Sequence, residues 1–129
     1  MSALEEIRDF VNAGQDGDVR EAIRVLLRAN NGIDEGVEAA SRTLDEAARR
    51  AGLRVGFDEG ALIFESGDPI LAAIADAMAD GSWARLKACR ADDCKWAFID
   101  TARNRTRIWC DMSVCGNREK ARRYRSRHA

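Results

Sequence analysis

All four cysteines of this 129-residue chain fall in its last 41 residues, as Cys89-x4-Cys94 and Cys110-x4-Cys115 with fifteen residues between the pairs. Two short loops, each placing two soft thiolates about 2.3 Å from one ion, are what tetrahedral zinc requires. Four cysteine ligands leave no open coordination position, so the expected zinc, one ion, is structural rather than catalytic. Two disulfides or free thiols also fit the count; a reducing compartment favours the metal. A segment of about 40 residues rarely buries enough apolar surface to fold alone. Between the pairs, Trp96 and Phe98 alternate with Lys95, Ala97 and Ile99 as a short strand. With Trp109 they are expected to form a minimal core rather than a base-stacking surface, and the ion supplies the rest.

The compartment follows from what the chain lacks. No stretch approaches the roughly 20 apolar residues of a membrane helix. Met1-Ser2-Ala3-Leu4-Glu5-Glu6 has neither the basic nor the apolar region of a signal peptide. A cytoplasmic protein is expected. Its charge is divided: residues 1–84 hold eight Arg and no Lys against seventeen Asp plus Glu, a balance of −9, whereas residues 85–129 stand at +8. An acidic unit, 1–84, carrying a basic, anion-seeking one, 85–129, is the expected domain organisation.

The acidic part reads as three amphipathic helices. Ser2-Ala3-Leu4-Glu5 is a capping-box pattern ahead of Leu4, Ile7, Phe10 and Val11. Asp18 opens a second helix with Val19, Ile23, Leu26 and Leu27 on one face, and Asp34 is expected to cap a third through Leu44 and Ala51. The period then becomes two: Leu53, Val55 and Phe57, a turn at Asp58-Glu59-Gly60, then Leu62 and Phe64 predict a β-hairpin. Asp68-Pro69 starts a fourth helix with Leu71, Ile74, Ala75 and Met78 as its buried stripe. The expected class is α+β, a mainly helical N-terminal domain with a β-hairpin followed by a treble-clef-like four-cysteine finger.

From about Ser113 the chain reads as a closing helix, capped by Asp111 or Ser113. Val114, Asn117, Ala121 and Tyr124 share an arc of about 80° that is expected to pack. Arg118, Arg122 and Arg125 form one basic stripe; Lys120, Arg123 and Arg127 form another. Upstream, Arg103, Arg105 and Arg107 alternate and, in an extended loop, point one way. Like charges at i, i+4 repel within a helix, so their clustering suggests an anionic partner, although a solvated face is the plainer reading. Arginine forks suit phosphate oxygens and the acceptor edge of guanine. Arg118 is equally placed to bond a metal-loop carbonyl, and Asn117 is expected to make a structural hydrogen bond. Asp92 and Asp93, inside the first metal loop, would repel phosphate. His128 reads as a solvated terminus.

Cys110-Asp111-Met112-Ser113-Val114-Cys115-Gly116-Asn117-Arg118, preceded by Phe98-Ile99-Asp100-Thr101-Ala102-Arg103-Asn104-Arg105 and followed by Arg122-Arg123-Tyr124-Arg125, resembles the CGNR zinc-finger family. The signature stands as Cys115-Gly116-Asn117-Arg118, and the resemblance spans about residues 89–127. In that family the finger usually follows a helical domain with a hairpin, called ABATE, ascribed to stress-induced transcription regulators. Residues 1–84 resemble that domain loosely: Phe10-Val11-Asn12 is similar to its opening Phe-x-Asn, while Ala13 and Gly14 depart from its Thr-rich continuation. The resemblance implies a bacterial DNA-binding regulator with one zinc.

No Gly-rich phosphate loop, Ser-His or Cys-His pair with a free cysteine, or carboxylate cluster in an apolar context occurs, so no enzyme is expected. DNA is the leading partner, with a homodimer supplying specificity. One rival is a protein-interaction module, its basic helix docking on an acidic partner or masked by residues 1–84. RNA is the other, because phosphate contacts do not distinguish the two nucleic acids.

Overall fold

The computed structural model describes residues 2–14 and 16–128; Met1, Gln15 and Ala129 lie outside the described residues. It is α+β, with five α-helices and two small antiparallel hairpins. Helix α1, Ala3–Asn12, starts as its capping box requires: Ser2 Oγ accepts from the Glu5 N–H at 3.2 Å. Leu4, Ile7 and Val11 form its buried face. Helix α2, Asp18–Ala29, buries Ile23 and Leu27 together with Arg24. That guanidinium is satisfied at the end of α1, donating to the carbonyls of Val11 and Gly14 at 2.8 Å each and pairing with Glu21. Helix α3, Val37–Arg50, begins behind Gly36 in the left-handed conformation, not at Asp34. A glycine with positive φ turns the chain there without a side-chain cap.

Strands β1, Arg54–Asp58, and β2, Ala61–Glu65, pair from Arg54↔Glu65 to Asp58↔Ala61. Glu59 and Gly60 both have positive φ, 49° and 79°, as a tight hairpin turn of matching twist demands. The alternation is that of a strand, yet the face it builds looks outward: Val55, Phe57 and Leu62 are 61%, 78% and 48% exposed. Helix α4, Pro69–Asp80, is capped by the Asp68 carboxylate and packs on α1 through Leu71, Ile74 and Ala77. Met78, expected in that stripe, is half exposed.

A short 3-10 turn, Ser82–Arg85, leads to β3, Leu86–Ala88, which pairs with β4, Ala97–Ile99. This small sheet separates two apolar clusters. Leu86, Ala88 and Ala97 join Ile7, Val11, Ile23, Leu27 and Ile74 in the main core. Phe98, one residue along and therefore on the opposite face, joins Cys89, Trp109 and Cys115. The acidic and basic stretches of sequence thus share one core across residue 84.

Asparagines make the join specific. Asn12 at the end of α1 donates to the Ala97 carbonyl and accepts the Ala97 N–H, both at 2.9 Å. Asn30 donates to the Trp83 and Leu86 carbonyls, and Asn31 to those of Ala88 and Ile108. The Asn31 carbonyl takes the Arg90 guanidinium at 2.6 Å. Gly32, at φ +90°, leaves room for it: a Cβ there would lie 2.8 Å from Arg90 Nη2.

Candidate metal centre and basic helix

The first cysteine pair sits on a knuckle between β3 and β4. The Cys89 N–H bonds the Trp96 carbonyl at 2.8 Å, and the Cys94 N–H bonds that of Ala91 at 3.0 Å. The second pair comes from the approach to the last helix. There the chain makes one wide π-turn, Met112–Gly116, and α5 proper runs over Asn117–Arg127. The helix therefore starts later than Ser113, and Cys115 lies in the wide turn rather than in the first turn of α5. Asp111 is the cap, its carboxylate accepting from the Ser113 N–H at 2.8 Å and from the Ser113 hydroxyl. Gly116 is required by packing: a Cβ there would come within 2.9 Å of Trp109 Cδ1 and would overlap Met112 Sδ.

The four Sγ atoms lie within 4.8 Å of one another. Cys94 to Cys110 is 3.5 Å and Cys110 to Cys115 is 3.6 Å. No disulfide joins the four cysteines in this arrangement. Four sulfurs at about 2.3 Å from one tetrahedral ion stand roughly 3.8 Å apart, close to the spacing of this cluster, which suits one zinc. Burial pushes the Cys115 thiol up to about 11 and raises Cys110 as well, with Cys94 adding to both. At Cys89 burial works the same way, but hydrogen bonds at Cys110 and Ala91 outweigh it and hold that thiol below its ordinary value. Cys89, Cys94, Cys110 and Cys115 could hold one zinc ion, which would supply structural cross-linking and no chemistry.

Arg118 supports this site. Its Nη2 lies 3.6 Å from Cys115 Sγ and 3.0 Å from the Asp93 carboxylate, and its Nε is buried without a partner among the described residues. One zinc with four thiolates carries −2, and a guanidinium against it is the matching charge. Among the described residues Arg118 bonds Asp93 and Cys115 Sγ rather than a carbonyl of the metal loop. Arg122 reaches the other Asp93 oxygen at 3.1 Å and also pairs with Glu119, while Asp92 pairs with Arg28 of α2. The two acids of the first knuckle are thus bridges: one to the closing helix, one to the helical layer.

The loop of residues 100–107 is not extended, and its arginines do not point one way. Arg105 has φ 56°, and its N–H turns back to the Ala102 carbonyl. At the centre of the loop lies a pair that sequence inspection passed over. Lys87 Nζ donates to the Asp100 carboxylate at 2.7 Å and to the Arg105 and Arg107 carbonyls at 2.9 and 2.8 Å. Asp100 also accepts the N–H groups of Ala102 and Arg107. A carboxylate in the strand-to-loop run Phe98-Ile99-Asp100-Thr101 was the available signal. The Arg107 guanidinium stacks 4.6 Å over Phe98 and donates to the Trp109 and Cys110 carbonyls, whereas Arg103 and Arg105 have exposed side chains.

Phe98 and Trp109 are buried as expected, but Trp96 is 52% exposed. The arc expected to pack is also open: Val114 and Tyr124 are 55% and 60% exposed, and Ala121 is exposed too. From Lys120 to Arg127 every residue of α5 is exposed, with Arg122 reaching Asp93 of the first knuckle. Asn117 makes only a local bond, to the Ser113 carbonyl at 3.3 Å, and His128 stacks on Tyr124. Lys120, Arg123, Arg125 and Arg127 make no ion pair among the described residues.

Among the described residues no helix is long and apolar enough to cross a membrane. No curated protein matches the chain. Residues 85–128, which contain the four thiols, the Lys87–Asp100 loop and the projecting basic helix, match the model of the CGNR zinc finger family.

Proposed function

We propose that this protein is a cytoplasmic DNA-binding transcription regulator that acts by binding rather than catalysis, its finger gripping duplex phosphates through α5. One observation carries the reading: the outer part of α5 is exposed and holds Lys120, Arg123, Arg125 and Arg127 with no acid paired to them among the described residues. A helix of eleven residues is marginal in water by itself. Neutralising its like charges is what would hold it, and its width suits a major groove. Arg103 and Arg105 add two exposed cations from the loop. A stress-regulator role and an ABATE-type helical domain accompany this proposal through the helix–hairpin–helix order of residues 1–84.

The test is salt-dependent binding of the zinc-loaded protein to duplex DNA, single-stranded DNA and RNA. Six phosphate contacts give a log–log slope of about −5, so duplex affinity is expected to fall about a thousandfold between roughly 50 and 200 mM salt. Absence of duplex binding at low salt overturns the proposal. Preference for RNA would reassign the acid bound, and failure with every nucleic acid would point to an acidic protein surface.

A further inference from the structure

We infer that two copies of this chain join through the outer edge of β1, antiparallel and centred on Gly56, so that the two hairpins become one four-stranded sheet. Four observations support this. First, the edge is open. β2 lies against α4, whereas every residue of β1 but Gly56 is exposed. Second, the register leaves the edge ready to pair. The turn-flanking pair Asp58↔Ala61, and alternate pairs from it, exchange the hydrogen bonds of the hairpin. Val55 and Phe57 therefore turn their N–H and C=O groups to the other side, and among the described residues no further backbone bond engages them. Proteins ordinarily blunt such an edge with proline, a bulge or charge at its middle. Here the middle is Val55-Gly56-Phe57.

Third, the edge is complementary to itself. Arg54-Val55-Gly56-Phe57-Asp58 reads as cation, apolar, glycine, apolar, anion. Laid antiparallel on a second copy about Gly56, Arg54 faces Asp58 at both ends, and Val55 faces Phe57 twice. The Val55–Phe57 positions are those with outward backbone groups, so each forms a doubly hydrogen-bonded pair. Gly56 meets Gly56 at the close, non-bonded position, where the lack of a side chain matters most. Arg54 already reaches Glu65 across the hairpin, but Asp58 has no ion-pair partner among the described residues. A different protein would have to reproduce this charge order; a second copy has it.

Fourth, the arrangement gives the apolar face a use. Two strands alone are marginal in water, and four are not. Phe57, the most exposed large apolar side chain among the described residues at 78%, would gain Val55 of the second copy as its cross-strand neighbour. The hairpin end and the finger end lie apart: the start of α2 is near Gly67 and Asp68, while its other end holds the finger through Asn30 and Asn31. Joining hairpins leaves both metal centres and both basic helices free. The joined surface is small, so the dimer is of the concentration-dependent kind.

The test is sedimentation of the zinc-loaded full chain from low micromolar to submillimolar concentration, without nucleic acid. Wild type is expected to pass from monomer to dimer. Asp58→Arg should weaken self-association roughly tenfold or more, since it sets like charges opposite each other at both ends. Arg54→Asp combined with Glu65→Arg, which keeps the cross-strand ion pair, should do the same. Mixed, these two proteins should form a heterodimer that neither forms alone, with circular dichroism and zinc content matching wild type. A wild type that stays monomeric throughout overturns the inference, as does a dimer indifferent to Asp58→Arg. Nucleic-acid binding does not enter these measurements, so either proposal can fail alone.

Discussion

Asp100 has no solvent exposure and holds the ammonium of Lys87 at 2.7 Å. The remaining protons of that ammonium go to loop carbonyls, so one ion pair gives the stretch from β4 to Arg107 its shape. Replacing either member alone strands a buried charge. Asp100→Asn or Lys87→Met is expected to cost about 3–5 kcal/mol in denaturant unfolding of the zinc-loaded protein. A loss below about 1 kcal/mol would mean that the loop holds itself.

The same pair carries a pH signature. Burial pushes the Asp100 carboxyl up, but Lys87 and the Ala102 and Arg107 N–H groups outweigh it and hold the carboxyl below its usual range. The folded value lies below the unfolded value of about 3.9, so the stabilisation is complete above that pH and lost as pH falls through the folded value. Stability curves of wild type and Asp100→Asn should therefore converge below about pH 4. Acid displacement of zinc affects both proteins and cancels in the difference.

Asn12 imitates a strand edge against Ala97. Asn12→Ala leaves the Ala97 N–H and C=O of a buried residue unpaired and should cost about 1–3 kcal/mol. Asn12→Asp keeps the acceptor and loses the donor, so its cost should be intermediate. Faster amide exchange at Ala97 in the alanine variant, with α3 unchanged, would locate the effect.

Asp93 occupies Arg118 and Arg122 as a phosphate oxygen would. Asp93→Asn should tighten duplex binding and steepen its salt slope by up to about 2, one unit for each cation released. Lys120→Ala and Arg123→Ala should each flatten the slope by about 1. Titrations at several salt concentrations decide both.

Native mass spectrometry should find one zinc per chain, lost on Cys94→Ser or chelation. Trp109, only 8% exposed, should then shift its emission to the red. Unchanged emission without metal would show that the second cluster packs unaided.

Much of this was legible because it is local. Cysteine spacing, the Ser2 and Asp68 caps and the alternation on either side of Gly60 each act within a few residues, and each stands as expected. Long-range partners were not legible. Nothing near Lys87 in sequence marks Asp100 as its mate, and nothing near Asn31 indicates that it bonds two carbonyls more than fifty residues away. Periodicity failed where exposure overrode it. Val114, Ala121 and Tyr124 share a face, as do Val55, Phe57 and Leu62, but a shared face does not say what lies opposite. Arg103, Arg105 and Arg107 alternate in sequence, yet Lys87 draws the Arg105 and Arg107 carbonyls inward and bends the loop.

The Asp93 bridge has one more consequence. Its carboxylate belongs to the first knuckle, while the guanidiniums it grips belong to the helix that follows the second cysteine pair. The direction in which α5 points is therefore set by two anchors, the metal site and this carboxylate. Release of either leaves the rod tethered but unaimed, so metal content and heading of the helix vary together.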